Sequence, residues 1–249
     1  GLPSQLPPRT MPGDFGVPET QWVRERGLSF PTGESCGRLR GSPIEYRIPP
    51  TELEQLLPQQ LALLKVAREA MEKGGLTELG ERGAIFVGLG LDPRSSLYHL
   101  RWMMPQRARL WCEELGLVVD PEQLEQWISA LQEEVSPALD ANRVMGSLGS
   151  IAASRVARDL GAGGPSHTVS NDEIGGYRAL ELAIRSLQDH QIDVAIAATA
   201  DFGLDILERA SDSFEGATSR TESATAVLLQ RAEDARRDGH PIIAIDMQE

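Results

Sequence analysis

Short apolar runs constrain the fold of this 249-residue chain more than any other feature. Each is long enough for a buried strand and shorter than most helices. The runs occupy residues 84–88, 194–198, 226–229 and 242–245, and a further strand is expected at 167–170. Helical patterns separate them, and this alternation predicts an α/β sheet. Because the strands are apolar on both sides, we expect a layered sheet with helices on both faces.

The predicted helices have recognisable ends. Thr51 with Glu54 three residues later has the spacing of a capping box. Pro58 should interrupt that helix or begin a new one, which would end at the glycines 74–75. Three further helical regions are predicted: amphipathic residues 94–135 with a loop near 116–121, a Gly/Ala-rich helix over 142–160, and a helix capped by Asn171 or Asp172 that runs to about 190.

The first 50 residues are rich in proline, which fixes φ and removes backbone donors. We therefore expect residues 1–50 to form an extended segment that wraps over the rest of the protein. Trp22, Phe30 and Tyr46 are the side chains best suited to fix it to a surface.

Charge and cysteine content exclude several classes of function. The net charge of −13 repels phosphate backbones, which argues against a nucleic-acid partner. Cys36 and Cys112 have neither the spacing of a metal site nor that of a disulfide framework, and they fit a reduced compartment. No apolar run approaches the ~18 residues of a membrane span, and the proline-rich start lacks the features of a signal peptide. These features predict a cytoplasmic location without a membrane partner.

One basic cluster stands out against this acidic background, and its members are Arg94, Arg101, Arg107 and Arg109. It could attract an acidic carrier domain. The same spacing fits a solvated helix face, which we prefer.

After residue 170 the sequence changes sharply from a strand pattern to a helix pattern, and this change says most about the chemistry of the chain. The strand GPSHTVS ends at residues 171–173, and a helix with small residues begins at 174–176. The turn residues should therefore lie at a helix N-terminus, where N–H groups and the helix dipole favour negative charge. A thiolate at such a position would have a lowered pKa and become a good nucleophile.

This arrangement resembles the nucleophile-bearing turn of the β-ketoacyl synthase family, which has the thiolase fold. Six segments in the family's order carry the resemblance: PQQL at 58–61 with VAREA, AIFVG at 84–88, NRV at 142–144 with ASR, GPS at 164–166 with TV, ALELA at 179–183 with DVA, and ESATAV at 222–227. The resemblance implies an α/β, thiolase-like fold, of which residues 51–249 would form an incomplete N-terminal half. The family's opening strand and its second half are not recognisable in the sequence.

The chain departs from the family where the resemblance places the nucleophilic cysteine. That position is Glu173, or Asp172 if the register is displaced by one, and no cysteine lies near it. A carboxylate at a helix N-terminus is stabilised in its charged form, and its attack on a thioester would give a high-energy mixed anhydride. We therefore expect no ketosynthase catalysis from this position.

The family's two active-site histidines are also unmatched, because the sequence has no HGTGT-like segment and no Lys followed by a GH motif. His99, His167, His190 and His240 stand in other contexts, and a packing or interface role is preferred for His167. The resemblance therefore implies an acyltransferase-superfamily chain that lacks the nucleophilic Cys and both His.

Within the family, residues 48–70 and 88–102 resemble the ketosynthase-like domains of polyunsaturated-fatty-acid and heterocyst-glycolipid-type synthases. The function expected from this resemblance is that of a chain-length factor, a non-elongating partner that pairs with an active ketosynthase, or with its own copy, and shapes the acyl tunnel. Acyl chains would arrive on phosphopantetheine arms of carrier domains, with no cofactor or metal bound. The expected tunnel and interface residues are Tyr98, Leu100, Trp102, Met103, Ser166, His167, Thr168 and Ser170.

Two alternatives remain open from the sequence. Loading ketosynthases with Gln in place of the cysteine decarboxylate malonyl-carrier, and Glu173 could resemble that case. The chain could also be a pure docking or scaffold domain without a tunnel role.

Overall fold

The computed structural model describes residues 4–5, 39–90, 96–202 and 221–245. Trp22, Phe30, Cys36 and Arg94 lie outside the described residues. The strands are β1 (Ser4–Gln5), β2 (Arg40–Gly41), β3 (Gly83–Leu89), β4 (Ser166–Val169), β5 (Val194–Asp201) and β6 (Ser223–Gln230). The helices are α1 (Pro43–Tyr46), α2 (Pro50–Glu54), α3 (Pro58–Gly74), α4 (Ser96–Glu114), α5 (Pro121–Val135), α6 (Ala141–Ser147), α7 (Gly149–Asp159), α8 (Gly175–Gln188) and α9 (Ala232–Asp238).

A four-stranded sheet in the order β4-β3-β5-β6 organises the described residues. Strands β4, β3 and β5 are parallel, and β6 joins β5 antiparallel. Every residue of β3 is buried, as its continuous apolar sequence predicted. The strands expected near residues 84–88, 167–170, 194–198 and 226–229 are all confirmed.

Helices cover both faces of the sheet, which confirms the predicted α/β layering. On one face, Leu61 and Leu64 of α3 and Val156 of α7 pack in the same cluster as Ile85 and Ile196 of the sheet. On the other face, small residues of α8 let that helix lie close to the sheet, and the cluster there contains Ala84, Phe86, Ala179, Ala183, Leu187, Ala195 and Ala197. The chain has few aromatic residues, and its small side chains let the helix pack closely on the sheet.

Residues 43–46 form the helix α1, whereas the sequence predicted an extended segment over residues 1–50. Ser42 caps α1, and both Pro43 and Pro50 occupy first-turn positions, where proline favours a helix start. For the same reason α2 begins at Pro50, and the capping box predicted at Thr51 does not form. Tyr46 is buried as expected, and the Arg68 guanidinium lies 4.4 Å from its ring centroid.

Two further predictions are corrected. The single helix expected over 142–160 is divided at Leu148 into α6 and α7, because Gln60 Nε2 donates to the carbonyl oxygens of Gly146 and Leu148 at 2.8 and 3.2 Å. The strand expected at 242–245 is absent, since among the described residues none offers this exposed run a ladder partner.

Helices α4 and α5 form the two-helix region predicted over 94–135, and they pack chiefly on each other. Met104, Ala108 and Cys112 of α4 are buried, and so is Ile128 of α5. Within the part of the chain described, no helix has the length and apolar character to cross a bilayer.

Candidate functional site

The candidate site lies where the edge strand β4 gives way to α8. Between them Asp172–Ile174 form one turn of 3₁₀ helix, and the Ile174 N–H donates to the Asn171 carbonyl oxygen at 3.1 Å. Glu173 lies in this turn and is exposed. The structure thus places Glu173 and the backbone of Asp172 at the sharp strand-to-helix bend that the sequence indicated.

Three glycines allow the start of α8 to touch the sheet. A Cβ added at Gly88 of β3 would lie 2.3 Å from the Gly176 nitrogen and 2.4 Å from the Gly175 carbonyl carbon. A Cβ at Gly176 would lie 2.9 Å from Thr199 Cγ2 on β5. No larger residue fits at Gly88 without displacing backbone, so this contact fixes where the helix begins. The N-cap of α8 is Ile174, whose side chain cannot accept a hydrogen bond, whereas Asn171 or Asp172 had been expected to cap the helix.

Three of the four predicted interface residues, Ser166, His167 and Thr168, lie on β4 at the edge of the sheet, and Ser170 follows directly after the strand. Thr168 Oγ1 donates to the Gly149 carbonyl oxygen at 3.0 Å, which joins β4 to the first residue of α7. His167 is exposed on the opposite face, with its ring centroid 5.9 Å from that of Phe86. Ser166 is half-buried and Ser170 is exposed. These residues lie on or directly after an edge strand whose outer side has no partner among the described residues.

A buried polar network supports the corner between α6 and α7 behind β4. Arg155 of α7 pairs with Glu52 Oε1 at 2.5 Å and donates to the Met145 carbonyl oxygen at 3.2 Å. Together with the Gln60 contacts described above, it connects α2 and α3 to α6 and α7. Gln60 of the PQQL motif therefore contacts the segment that joins NRV to ASR. Sequence reasoning missed this contact, although a buried glutamine in a helix is an indication of a specific partner.

The predicted tunnel residues on α4 do not form a single surface. Tyr98 and Trp102 are four residues apart and share one side of the helix, while Leu100 and Met103 share another. Tyr98 and Met103 are half-buried, Leu100 is 40% exposed and Trp102 is 77% exposed. The structure therefore divides these four residues into two pairs.

Two arginines of the basic cluster make polar contacts between α4 and α5, which together form a helical hairpin. Arg101 donates to the carbonyl oxygens of Gln132 and Ser136 at the end of α5, where a cation complements the helix dipole. Arg109 pairs with Glu125 at 2.6 Å. Arg101 and Arg109 are thus held by residues of α5, whereas Arg107 is exposed.

Two of the histidines lie away from the bend. His190 and His240 lie at the far ends of α8 and α9, and His240 Nδ1 is 2.8 Å from Gln230 Oε1. Within the described ranges, no group of three or more His, Cys, Asp or Glu residues is arranged to hold a metal ion.

Comparison with known proteins places this arrangement in a family context. A sequence profile described as "Beta-ketoacyl synthase, N-terminal domain" matches residues 42–207. The pikromycin polyketide synthase component PikAII of Streptomyces venezuelae is 27% identical over 244 residues, covering 90% of this chain and 5% of that protein. A polyunsaturated fatty acid synthase polypeptide of Thraustochytrium sp. is 26% identical over 194 residues, covering 78% of this chain and 9% of that polypeptide.

Solved structures show the same fold. The "PfaC Keto synthase-Chain length factor" structure matches with a TM-score of 0.74 at 23% identity, covering 92% of this chain and 26% of that one. A ketosynthase from module 6 of the bacillaene synthase of Bacillus subtilis matches with a TM-score of 0.53 at 19% identity, covering 80% and 31% of the two chains. The chain therefore spans less than a third of these structures and less than a tenth of the two curated relatives.

Proposed function

This chain belongs to the β-ketoacyl synthase family, and from that premise we propose that it acts as a non-elongating partner of the chain-length-factor type in a fatty-acid or polyketide synthase. The observation that carries the proposal is Glu173 in the turn between β4 and α8. A bend of this form presents a side chain at a helix N-terminus, and the resemblance assigns that place to a nucleophilic cysteine. A carboxylate there does not form a stable acyl-enzyme. The domain would then contribute shape and contacts while an active ketosynthase supplies the chemistry.

The partner would bind along β4. The Ile85 N–H donates to the Pro165 carbonyl oxygen at 2.9 Å. In a parallel ladder the N–H and C=O groups of successive residues point alternately to the two sides of the strand, so those of His167 point toward β3 and those of Thr168 point outward. An outward row of N–H and C=O groups can accept a further strand. An active ketosynthase, or a second copy of this chain, would extend the sheet there.

In this account the start of α4 contributes to the wall of an acyl tunnel. Tyr98 and Trp102 are the residues tested first, since they share one side of α4 and offer large rings. Acyl chains carried on phosphopantetheine arms would be measured by the space these rings leave. Removal of either ring would lengthen that space.

The experiment is the product profile of the complete synthase with Tyr98→Ala or Trp102→Ala. We expect longer or mixed acyl products from these variants, and products of unchanged length from Ile44→Ala, which also truncates an exposed apolar side chain but lies on α1. Product lengths are read by mass spectrometry of the released acids. Unchanged products in both α4 variants would favour a docking or scaffold domain instead.

A further inference from the structure

The end of the α4–α5 hairpin exposes an unusual amount of apolar surface. Leu115 is 71% exposed, Leu117 is 50% exposed and Val118 is fully exposed, and all three lie in or next to the loop between the helices. One turn away, the rings of Trp111 and Trp127 lie with their centroids 6.4 Å apart and are also partly exposed. We call these five residues the hairpin tip. Contiguous apolar side chains of this size mark interaction surfaces more often than isolated exposed residues do.

The hairpin tip is distant from the sheet that forms the core. Helix α4 has 19 residues and so extends about 28 Å from its first residue to the tip. Within the described residues, α4 and α5 bury their facing sides against each other, and neither packs extensively on the sheet. The protein's own core therefore leaves the hairpin tip uncovered.

The charge around the hairpin tip is predominantly negative. Five acidic residues lie in the loop or in the adjoining turns of α4 and α5, against the two basic residues Arg107 and Arg109; they are Glu113, Glu114, Asp120, Glu122 and Glu125. Glu125 is neutralised by Arg109, but Glu113, Glu114 and Glu122 form no ion pair with a described residue. An acidic border with free carboxylates thus surrounds the apolar side chains.

The apolar side chains and their acidic border together indicate what kind of partner fits the hairpin tip. Two copies joined through the hairpin tip would bring two acidic borders together, and an anionic membrane or an acidic domain would be repelled in the same way. A partner with basic residues around an apolar groove gains both burial and charge complementarity. We propose that the hairpin tip docks into an apolar groove bordered by Lys and Arg on another protein or domain of the synthase. The inference does not depend on the tunnel role of Tyr98 and Trp102.

Photo-crosslinking from position 118 tests the proposal in the assembled synthase. Full-length protein with p-benzoylphenylalanine in place of Val118 is irradiated together with the synthase polypeptides that co-purify with it, and adducts are mapped by mass spectrometry. We expect one dominant adduct, at an apolar site flanked by Lys or Arg. An adduct to residue 118 of a second copy, an adduct to a surface without basic residues, or no protein adduct would overturn the proposal.

Charge reversal supplies the matched control. The double variant E113K/E114K should lower the yield of that adduct about tenfold, and raising the salt concentration to ~1 M should have a similar effect because it shortens the Debye length to about 3 Å. E69K/E72K changes the net charge equally on exposed positions of α3 and should leave the yield unchanged. Equal loss in both double variants would show that net charge alone controls the yield, and would contradict a docking surface at the hairpin tip.

Discussion

At the scale of single residues, the geometry of the candidate site depends on Gly88. Its missing side chain lets the backbone of Gly175 and Gly176 rest on β3, and this contact sets the position of the bend that carries Glu173. The sequence reveals the pair Gly175–Gly176 beside a predicted helix start. It does not reveal Gly88 as their partner, because the contact joins segments far apart along the chain.

Substitution of Gly88 by Ala should destabilise the fold. The added methyl group meets backbone atoms of α8 that cannot rotate away, so we expect a loss of about 1–3 kcal/mol in the free energy of unfolding. Gly90→Ala is the matched control, because a Cβ there meets nothing within 4 Å, and it should change stability by less than about 0.5 kcal/mol. Urea denaturation measures both variants, and equal stability of the two would show that α8 does not rest on β3 as described.

At the scale of elements, β4 is the strand most open to a partner. The sequence predicted its position and its neighbouring helix correctly, since a short run with the β-branched residues Thr168 and Val169 after Gly-Pro is a local signal. The edge position of β4 depends on the order in which distant strands pair, so it was expected only through the family resemblance, which assigned these residues to an interface, and not from the local pattern.

Thr168→Pro tests pairing along this edge. Proline removes the outward N–H without removing a hydrogen bond to β3, so we expect loss of the partner complex while the domain stays folded. Thr168→Val removes only the hydroxyl bond to Gly149 and should keep the complex. Size-exclusion chromatography with light scattering reports the assembly, and a complex that survives Thr168→Pro would contradict strand addition at β4.

A second feature at this scale is an ion-pair cluster at the starts of β5 and α9. Arg82 contacts the carboxylate of Asp193 at 2.7 Å and Arg231 contacts it at 2.6 Å, and these hydrogen bonds lower the pKa of Asp193 from 3.8 to about 2. Because the folded-state pKa is the lower one, this carboxylate stabilises the fold fully above pH 4. That contribution is lost as the pH falls from about 4 to 2.

Asp193→Asn should remove this contribution to the loss of stability at acidic pH. We expect the variant to be less stable than the unsubstituted protein at pH 6, and the difference between them to shrink progressively between pH 4 and pH 2. Unfolding by urea at a series of pH values measures it. A difference that stays constant across this range would show that the two arginines do not hold the carboxylate in its charged form.

At the scale of the whole molecule, the layered fold followed from the sequence, whereas the surfaces did not. Apolar runs at residues 84–88 and 194–198 specify buried parallel strands because both of their faces are covered. The run at 242–245 has the same composition, but it lacks a ladder partner among the described residues, and composition alone could not distinguish it. Likewise, Trp102 was recognised as a large ring on α4, but its side of the helix depends on how α4 packs on α5.

The candidate site was predicted to the extent that local pattern determines it. The strand, the bend and the helix around Glu173 are contiguous in sequence, so they could be recognised together. The corner formed by Gln60 and Arg155 could not, because Gln60 donates to a carbonyl oxygen of a distant segment and Arg155 pairs with the distant Glu52. These buried polar contacts position α7, and through Thr168 they also position β4.

The most direct test of the account is the fate of malonyl-carrier incubated with the full-length protein alone. If Glu173 occupies the place of the nucleophile without replacing its chemistry, mass spectrometry should find malonyl-carrier unchanged, no acetyl-carrier, and no acyl group attached to the segment 166–188. Formation of acetyl-carrier that is lost in Glu173→Ala would contradict the account, and would identify the chain as a malonyl-carrier decarboxylase.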